Sequence, residues 1–445
     1  MFRDLREYLT ELDRKGELVR IKEDLSPRYE IAATIREVGR TRGSAVLFER
    51  VRGFTVPVVG NLLRKRSYLA WAFGLDEAHI VAEYVRRRKR PIPPRIVRNG
   101  PVKEVVRTEK VDLLRTLPIL THYQRDAGPY LTCAMTVARD PETGMRGMGI
   151  HRLQVKGPDK LGIYLASPPV ATFLAKAEKR KRPLEVAIFG GVDPLTFVGS
   201  VVWAPSGIDK FAIAGGLLQA PVDLVKCETV DLEVPAWAEY VLEGVIPPGR
   251  RELEGPFGES TGYYMACRNP VVQLRAITTR RDPVYHGLLA FSGEEEVLSD
   301  ICREADELQA VRQAFPWVLR LRYLSRGQVI VVQVKKRADR EAARLLRHLL
   351  GMNKVVKIAI LVDPDVDVND FNEIAWALAT RFQPDRDMLV RKNLDGWGID
   401  PSARNGKTSK LGIDATKPVR ELRRFERVDF PPQVLRRVRE ILGML

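Results

Sequence analysis

The chain has 445 residues, of which 45% are hydrophobic and 29% charged, with 33 Gly and 29 Pro. That is too long for one ordinary domain and too apolar for a disordered chain, so two or three folded domains are expected. Lys and Arg number 73 against 57 Asp and Glu, a net charge of +16. Such a surplus suits nucleic acid, an anionic cofactor, a phosphorylated substrate or simply a basic surface.

Phe2, Leu5, Leu9 and Leu12 recur at spacings of three and four, which predicts an amphipathic first helix. Short strands follow at 17–21, 45–50 and 56–60, with a helix over 28–41. A helix over 77–90 ends in Arg86-Arg87-Arg88-Lys89-Arg90 and is stopped by Pro91-Ile92-Pro93-Pro94. Cations there offset the helix dipole, and the segment reads as a domain edge. From about 105 to 300 strands dominate. Leu131–Ala138, Gly149–Val155 and Leu161–Ala166 form consecutive hairpins across the turns DPETG and GPDK. Further strands are expected at 184–189, 197–203, 222–227 and 271–278, and helices at 169–181 and 208–216. The middle of the chain therefore reads as a partly open barrel. A long helix over 294–315 leads into a β-α-β-α-β alternation (328–335, 339–351, 355–362, 369–381, 387–391), the pattern of a small open α/β sheet. A last amphipathic helix, 431–445, reads as an oligomerisation arm.

Four cysteines (Cys133, Cys227, Cys267, Cys302) show neither a CxxC nor a Cys/His zinc spacing, which fits a reducing compartment. The opening residues are charged from the third onward, unlike a signal peptide, and no apolar run approaches the roughly 18 residues of a membrane span. A cytoplasmic protein is expected.

Three segments carry candidate chemistry. In Leu253-Glu254-Gly255-Pro256-Phe257-Gly258-Glu259-Ser260-Thr261-Gly262-Tyr263, two carboxylates flank a Gly-Pro-Phe-Gly run that cannot be helix interior. A shaped loop with two carboxyls suits acid/base work; the plain alternative is a solvated surface turn. Gly147-Met148-Gly149-Ile150-His151-Arg152 has two glycines of a dinucleotide fingerprint without its strand-to-helix setting. Its backbone is open enough for a cofactor, and Arg152 offers a two-pronged grip on a carboxylate. Asp363-Pro364-Asp365-Val366-Asp367-Val368-Asn369-Asp370 fails as a calcium loop, because Val368 and Ile374 stand where Gly and Glu are needed. Asn369 or Asp370 as a helix cap explains it better. The basic runs Arg86–Arg90 and Lys179–Arg182 have few interleaved aromatics, so solvated helix ends are favoured over a nucleic-acid stripe.

Taken together, RDLREYLTEL, GNLLRKRSYLAWAFG, GIHRLQVKGPDKLGIY, LVKCETVDLEVPAWAEYVLEG, EGPFGESTGYY, VDPDVDVNDFNEIAWALATRFQPDRD and SKLGIDAT resemble the UbiD family of decarboxylases, which use prenylated FMN. The resemblance implies a multidomain α/β (α+β) fold. Its parts would be an N-terminal α+β domain (1–110), a split-barrel flavin domain (111–293), a connecting helix (294–316), a C-terminal α/β domain (317–425) and an oligomerisation helix (426–445). It also implies a homodimer or higher homo-oligomer, with cofactor supplied by a flavin prenyltransferase. Arg152 falls at the catalytic arginine, Glu254 at the acid paired with it, and Glu259 at the proton donor. Ile150, His151, Arg152, Tyr164, Leu165, Ala166, Lys210 and Lys410 fall at cofactor-contacting positions.

Family members hold a divalent metal and potassium at the flavin phosphate through Asn, His and Glu. Here those positions become Gly147, Val170 (within Ser167–Val170) and Lys210, so no metal is expected, and the Lys210 ammonium stands in its place. A slip in the ungapped count would instead leave Lys210 on a helix surface. The substrate implied is an α,β-unsaturated acid, foremost trans-anhydromevalonate 5-phosphate decarboxylated to isopentenyl phosphate, with 4-hydroxybenzoate-type acids as the alternative. A non-catalytic relative and a nucleic-acid binder are the readings from other classes; the intact Arg152, Glu254 and Glu259 weigh against both.

Overall fold

The computed structural model describes residues 2–204 and 207–443. The chain divides into two compact units: residues up to Gln309 with Gly398–Pro401, and Ala310–Trp397 with the chain from Ser402 onward. The helix Gly293–Ala314 runs from the first into the second.

In the first unit, the helix Leu5–Arg14 is capped by Asp4, whose side chain accepts from the Arg6 and Glu7 amides, and it buries Leu5, Tyr8 and Leu12. With the helix Glu30–Thr41 it accompanies a four-stranded sheet of Leu18–Ile21, Ala45–Phe48, Val58–Gly60 and Tyr285–His286. The last strand arrives from far along the chain and runs parallel to Val58–Gly60. The larger sheet orders its strands as Tyr130–Leu131, Leu153–Gly157, Lys160–Ile163, Tyr264–Thr279, Tyr240–Ile246, Leu184–Gly190, Met135–Arg139 and Arg146–Ile150. Strands Val105–Arg107 and Arg251–Gly258 also pair with the long strand Tyr264–Thr279. Along Leu184–Gly190 alternate residues serve two cores: Val186 and Ile188 join one, Ala187 and Phe189 the other. A strand covered on both faces has to be apolar throughout.

That order dictates a closed shape. Arg146–Ile150 is the last strand of the sheet and Leu153–Gly157 the last but one at the opposite end, yet only His151 and Arg152 separate them. The three Cα–Cα steps from Ile150 to Leu153 span about 11 Å at most, so the sheet must curl until its edges approach, as in a split barrel. The expected single strand Gly149–Val155 is therefore broken, and Arg152 sits at the seam.

Other expectations are corrected too. Segment 197–203 is not a strand: residues 197–201 belong to the helix Pro194–Val201 and Val202 is its C-cap. Asp193 caps it by accepting from Leu195 N and Thr196 N, and Pro194 occupies the first turn. Almost all of that helix is buried, so its β-branched sequence carries no amphipathic period to read. The EGPFGE segment is no free loop, since Arg251–Gly258 is a strand whose pairing shifts register between Glu254 and Phe257. Arg87, expected on a solvated helix end, is buried and donates to the carbonyls of Leu217 and Phe73.

The second unit is a five-stranded sheet ordered Val318–Leu324, Val329–Val334, Ile358–Val362, Lys407–Ala415, Met388–Asp395. Its three central strands are parallel, with the helices Arg340–Met352 and Phe371–Arg381 as connections. Asp370 caps the second helix. Asp363 and Asp365 are engaged by Arg381 at 2.7 and 2.9 Å, which accounts for this acidic run without a metal. The expected terminal helix is seen as Pro432–Ile441, with no buried residue; positions 444 and 445 lie outside the described residues. Among the described residues no helix is long and apolar enough to cross a membrane.

Candidate active site

Three side chains from the barrel seam and the bulged strand converge. The Arg152 guanidinium donates from Nε to one Glu254 oxygen at 3.1 Å and from Nη2 to the other at 2.6 Å. Its remaining Nη1 is ion-paired with Glu259. Glu254 is fully buried, and Arg152 and Glu259 are almost so. Buried charges persist only when paired and hydrogen-bonded, and the surroundings supply this. Asn269 Nδ2 donates to Glu254 at 2.8 Å. Tyr164 and Phe257 present their rings to the guanidinium at 4.3 and 5.0 Å, within cation–π range. The Tyr130 ring packs tilted against Phe257 with centroids 4.4 Å apart, and burial together with the Glu254 carboxylate pushes its hydroxyl pKa up.

The backbone that carries the two acids is held on several sides. Gly255 has φ +100°, and a Cβ there would lie 2.6 Å from the Met265 carbonyl oxygen, so only glycine fits. Its amide donates to Gln154 Oε1 at 3.2 Å. Asp126 accepts from the amides of Gly258 and Tyr123, both at 2.9 Å. The Glu259 amide donates to the Tyr263 carbonyl, which closes the turn that aims its carboxyl at Arg152. Asn269, Gln154, Asp126, Tyr130 and Phe257 escaped the sequence reading. A signal existed for Asn269: an antiparallel hairpin around Gly258–Tyr264 pairs Glu254 with Cys267 and sets Asn269 diagonally beside it on the same face.

The remaining expected positions divide by place. Ile150 ends its strand, half-buried against one core, and Leu165 packs on the other, whereas Ala166 is exposed. Lys210 is not on a helix surface. It opens the buried helix Lys210–Leu218, whose cap Asp209 is fixed to Arg146 at 2.7 Å, and its Nζ donates to the Ser200 carbonyl at 2.8 Å. Burial draws the Lys210 pKa down to about 8. His151 is pushed to about 4, first by burial and then by the Lys210 charge, so it is neutral; its Nε2 is buried without a partner. Lys410 belongs to the second unit, where Nζ donates to the Asn353 carbonyl at 2.5 Å.

A divalent metal does not fit these residues. At Gly147 a Cβ would lie 2.5 Å from the Phe173 ring and 2.6 Å from Pro169, Val170 is fully buried in the core, and Lys210 is a cation. Among the described residues no group of three His, Cys, Asp or Glu side chains lies close enough to hold a metal. An anionic cofactor does fit, because an uncompensated buried ammonium is what a bound phosphate satisfies.

The fold and this cluster are those of a carboxy-lyase. Residues 9–88, 95–293 and 296–415 match the N-terminal, Rift-related and C-terminal domains of 3-octaprenyl-4-hydroxybenzoate carboxy-lyase, and the chain belongs to the UbiD family. It is 34% identical to the anhydromevalonate phosphate decarboxylase of Methanothermobacter thermautotrophicus, covering 94% of this chain and 98% of that one. The UbiD-class enzyme HmfF from Pelotomaculum thermopropionicum, solved in complex with FMN, superposes with a TM-score of 0.93 at 42% identity, over 96% and 97% of the two chains. The 3,4-dihydroxybenzoic acid decarboxylase of Klebsiella pneumoniae gives 0.91 at 28% identity, over 97% of each.

Proposed function

We propose that the chain is a prenylated-FMN-dependent, non-oxidative decarboxylase of an α,β-unsaturated acid. One observation carries this reading: a guanidinium held by a fully buried carboxylate meets a second carboxylate at the barrel seam. Prenylated FMN, when bound, supplies the electron sink that a departing carboxylate needs. Lys210, His151 and the backbone of Ile150–Arg152 would hold it, with Tyr164–Ala166 alongside. Arg152 binds and orients the substrate carboxylate, Glu254 and Asn269 fix the plane of its fork, and Glu259, released from Nη1 and protonated from solvent, passes that proton to the carbon that loses CO₂. The Arg152–Glu259 contact keeps the acid at the place where the carboxylate must be bound, so substrate entry exchanges one anion for another on Nη1.

The preferred substrate is trans-anhydromevalonate 5-phosphate, giving isopentenyl phosphate; the 34% relative and the +16 charge support it. An aromatic acid is the second reading, favoured by the dihydroxybenzoic acid and vanillic acid decarboxylases among the structural neighbours. A homo-oligomer belongs to the proposal, with Val434, Val438, Ile441 and Leu442 exposed on the terminal segment as its contact face. The test is turnover of both acid classes by protein co-expressed with a flavin prenyltransferase. Release of CO₂ from the aromatic acid alone removes the isoprenoid assignment, and a colourless, inactive protein removes the enzyme.

A further inference from the structure

We propose that Lys210 is the cation that binds the flavin phosphate, directly and without a divalent metal, in a pocket where side-chain packing has closed off metal ligation. The inference rests on the flavin reading above and deepens it. Three independent features point the same way.

The first is charge. Lys210 is buried, its Nζ has the Ser200 carbonyl as hydrogen-bond partner, and among the described residues no carboxylate pairs with it. A buried ammonium without a counter-ion is costly and calls for an anion. The nearest acid on its own element, Asp209, is taken by Arg146 and by the Phe211 amide.

The second is position. Arg146 starts the strand that runs to Ile150 and delivers His151 and Arg152 to the seam, and its bond to Asp209 ties the start of the Lys210 helix to that strand. The imidazole of His151, close enough to feel the Lys210 charge, leaves Nε2 unpartnered. The ammonium offers a phosphate a charged donor, while the neutral imidazole, whose ring N–H is engaged by the Tyr164 backbone, leaves the anion to Lys210.

The third is space. The Phe173 ring and Pro169 fill the volume that any side chain at Gly147 would need. A side-chain ligand cannot be restored there by one substitution, and the Arg146–Asp209 bond at 2.7 Å ties together the residues that immediately precede Gly147 and Lys210.

The deciding experiment titrates FMN and riboflavin separately into apoprotein by flavin fluorescence, with EDTA and with added MnCl₂, for wild type, Lys210→Met and Lys210→Arg. The two ligands differ only by the phosphate. Wild type should prefer FMN by about tenfold to a hundredfold, the worth of a charge-assisted bond, and the preference should be unchanged by EDTA or manganese. Lys210→Met should abolish the preference while leaving riboflavin binding intact, and Lys210→Arg should retain part of it. The apoprotein melting temperature of Lys210→Met should stay level or rise, since a buried unpaired charge is removed; a merely structural lysine would lower it. An FMN preference that survives in Lys210→Met, or stoichiometric manganese or magnesium in purified holoprotein, overturns the assignment while leaving the flavin reading intact. Failure of wild type to bind either flavin overturns the flavin reading itself and this inference with it.

Discussion

Replacing Glu254 by Gln isolates the role of the buried pair, because the substitution keeps shape and removes charge. The carboxylate makes three bonds: Oε1 accepts from Arg152 Nε at 3.1 Å, while Oε2 accepts from Arg152 Nη2 at 2.6 Å and from Asn269 Nδ2 at 2.8 Å. A glutamine keeps the two bonds at Oε2 if its carbonyl sits there. Its NH₂ then faces the Arg152 Nε–H, donor against donor, so one charge-assisted bond becomes a repulsive contact. Losing such a bond costs about 1.5–3 kcal/mol. The cost stays below the roughly 3–5 kcal/mol of a fully broken buried pair, since Glu259 still faces the guanidinium. A fork rotated off its plane misplaces the substrate carboxylate, so kcat should fall by about two to three orders of magnitude. The assay is CO₂ release by reconstituted holoenzyme, paired with urea unfolding of the apoprotein. A Glu254→Gln enzyme within threefold of wild-type kcat, at the lower stability expected, would refute the claim that this carboxylate positions Arg152 for catalysis.

Glu259→Gln should bind FMN as the wild type does, yet lose about 10²–10⁴ in kcat because proton return is removed, while KM falls because the substrate carboxylate no longer displaces an anion from Arg152 Nη1; single-turnover product analysis in D₂O checks the first and steady-state kinetics the second. Gly255→Ala should destabilise by about 1–3 kcal/mol, as expected of an L-residue forced to φ +100° against the Met265 carbonyl, and should also cost activity through Glu254; urea midpoints and kcat should move together. Acid should weaken the fold through His122 and His151, each pushed from 6.5 to about 4 mainly by burial. Between those values the unfolded chain binds protons that the folded one refuses. Stability from each histidine is therefore complete above pH 6.5 and lost as pH falls toward 4, about 2 kcal/mol per histidine at pH 5. Urea unfolding at pH 7 and 5 measures the difference, and His122→Gln should flatten it by one histidine's share; an unchanged acid limb would show that His122 is not kept neutral by burial. Arg381→Met should cost about 3 kcal/mol in the second unit, at the low end for a broken buried pair, because Asp363 loses its cation while Asp365 keeps Lys417 at 2.7 Å; thermal unfolding followed by tryptophan fluorescence reports it.

Amino-acid order alone determined the fold class, most of the helices and the chemical types at the site. Helices such as Leu5–Arg14 and Arg340–Met352 each turn one apolar face inward, and that periodicity is written in the chain. Residues 152, 254 and 259 were singled out together by the resemblance to the UbiD family; the Gly-Pro-Phe-Gly run between the two acids by itself excluded a helix interior and left a solvated surface turn open. What the order could not reveal depended on neighbours distant in sequence. Pro194–Val201 is helical although its residues favour strands, since burial on all sides erases amphipathicity and a cap decides instead. The break at His151–Arg152 exists only because the sheet curls and brings its two edges within a dipeptide of each other. Asn269 reaches Glu254 through a cross-strand register, and Lys210 is interior because Arg146 anchors the residue before it. Local propensity acts over a few residues, whereas closure of a barrel and the partner of a buried charge are settled by contacts between segments 15, 63 and 102 residues apart, as for Glu254–Asn269, Arg146–Asp209 and Arg152–Glu254.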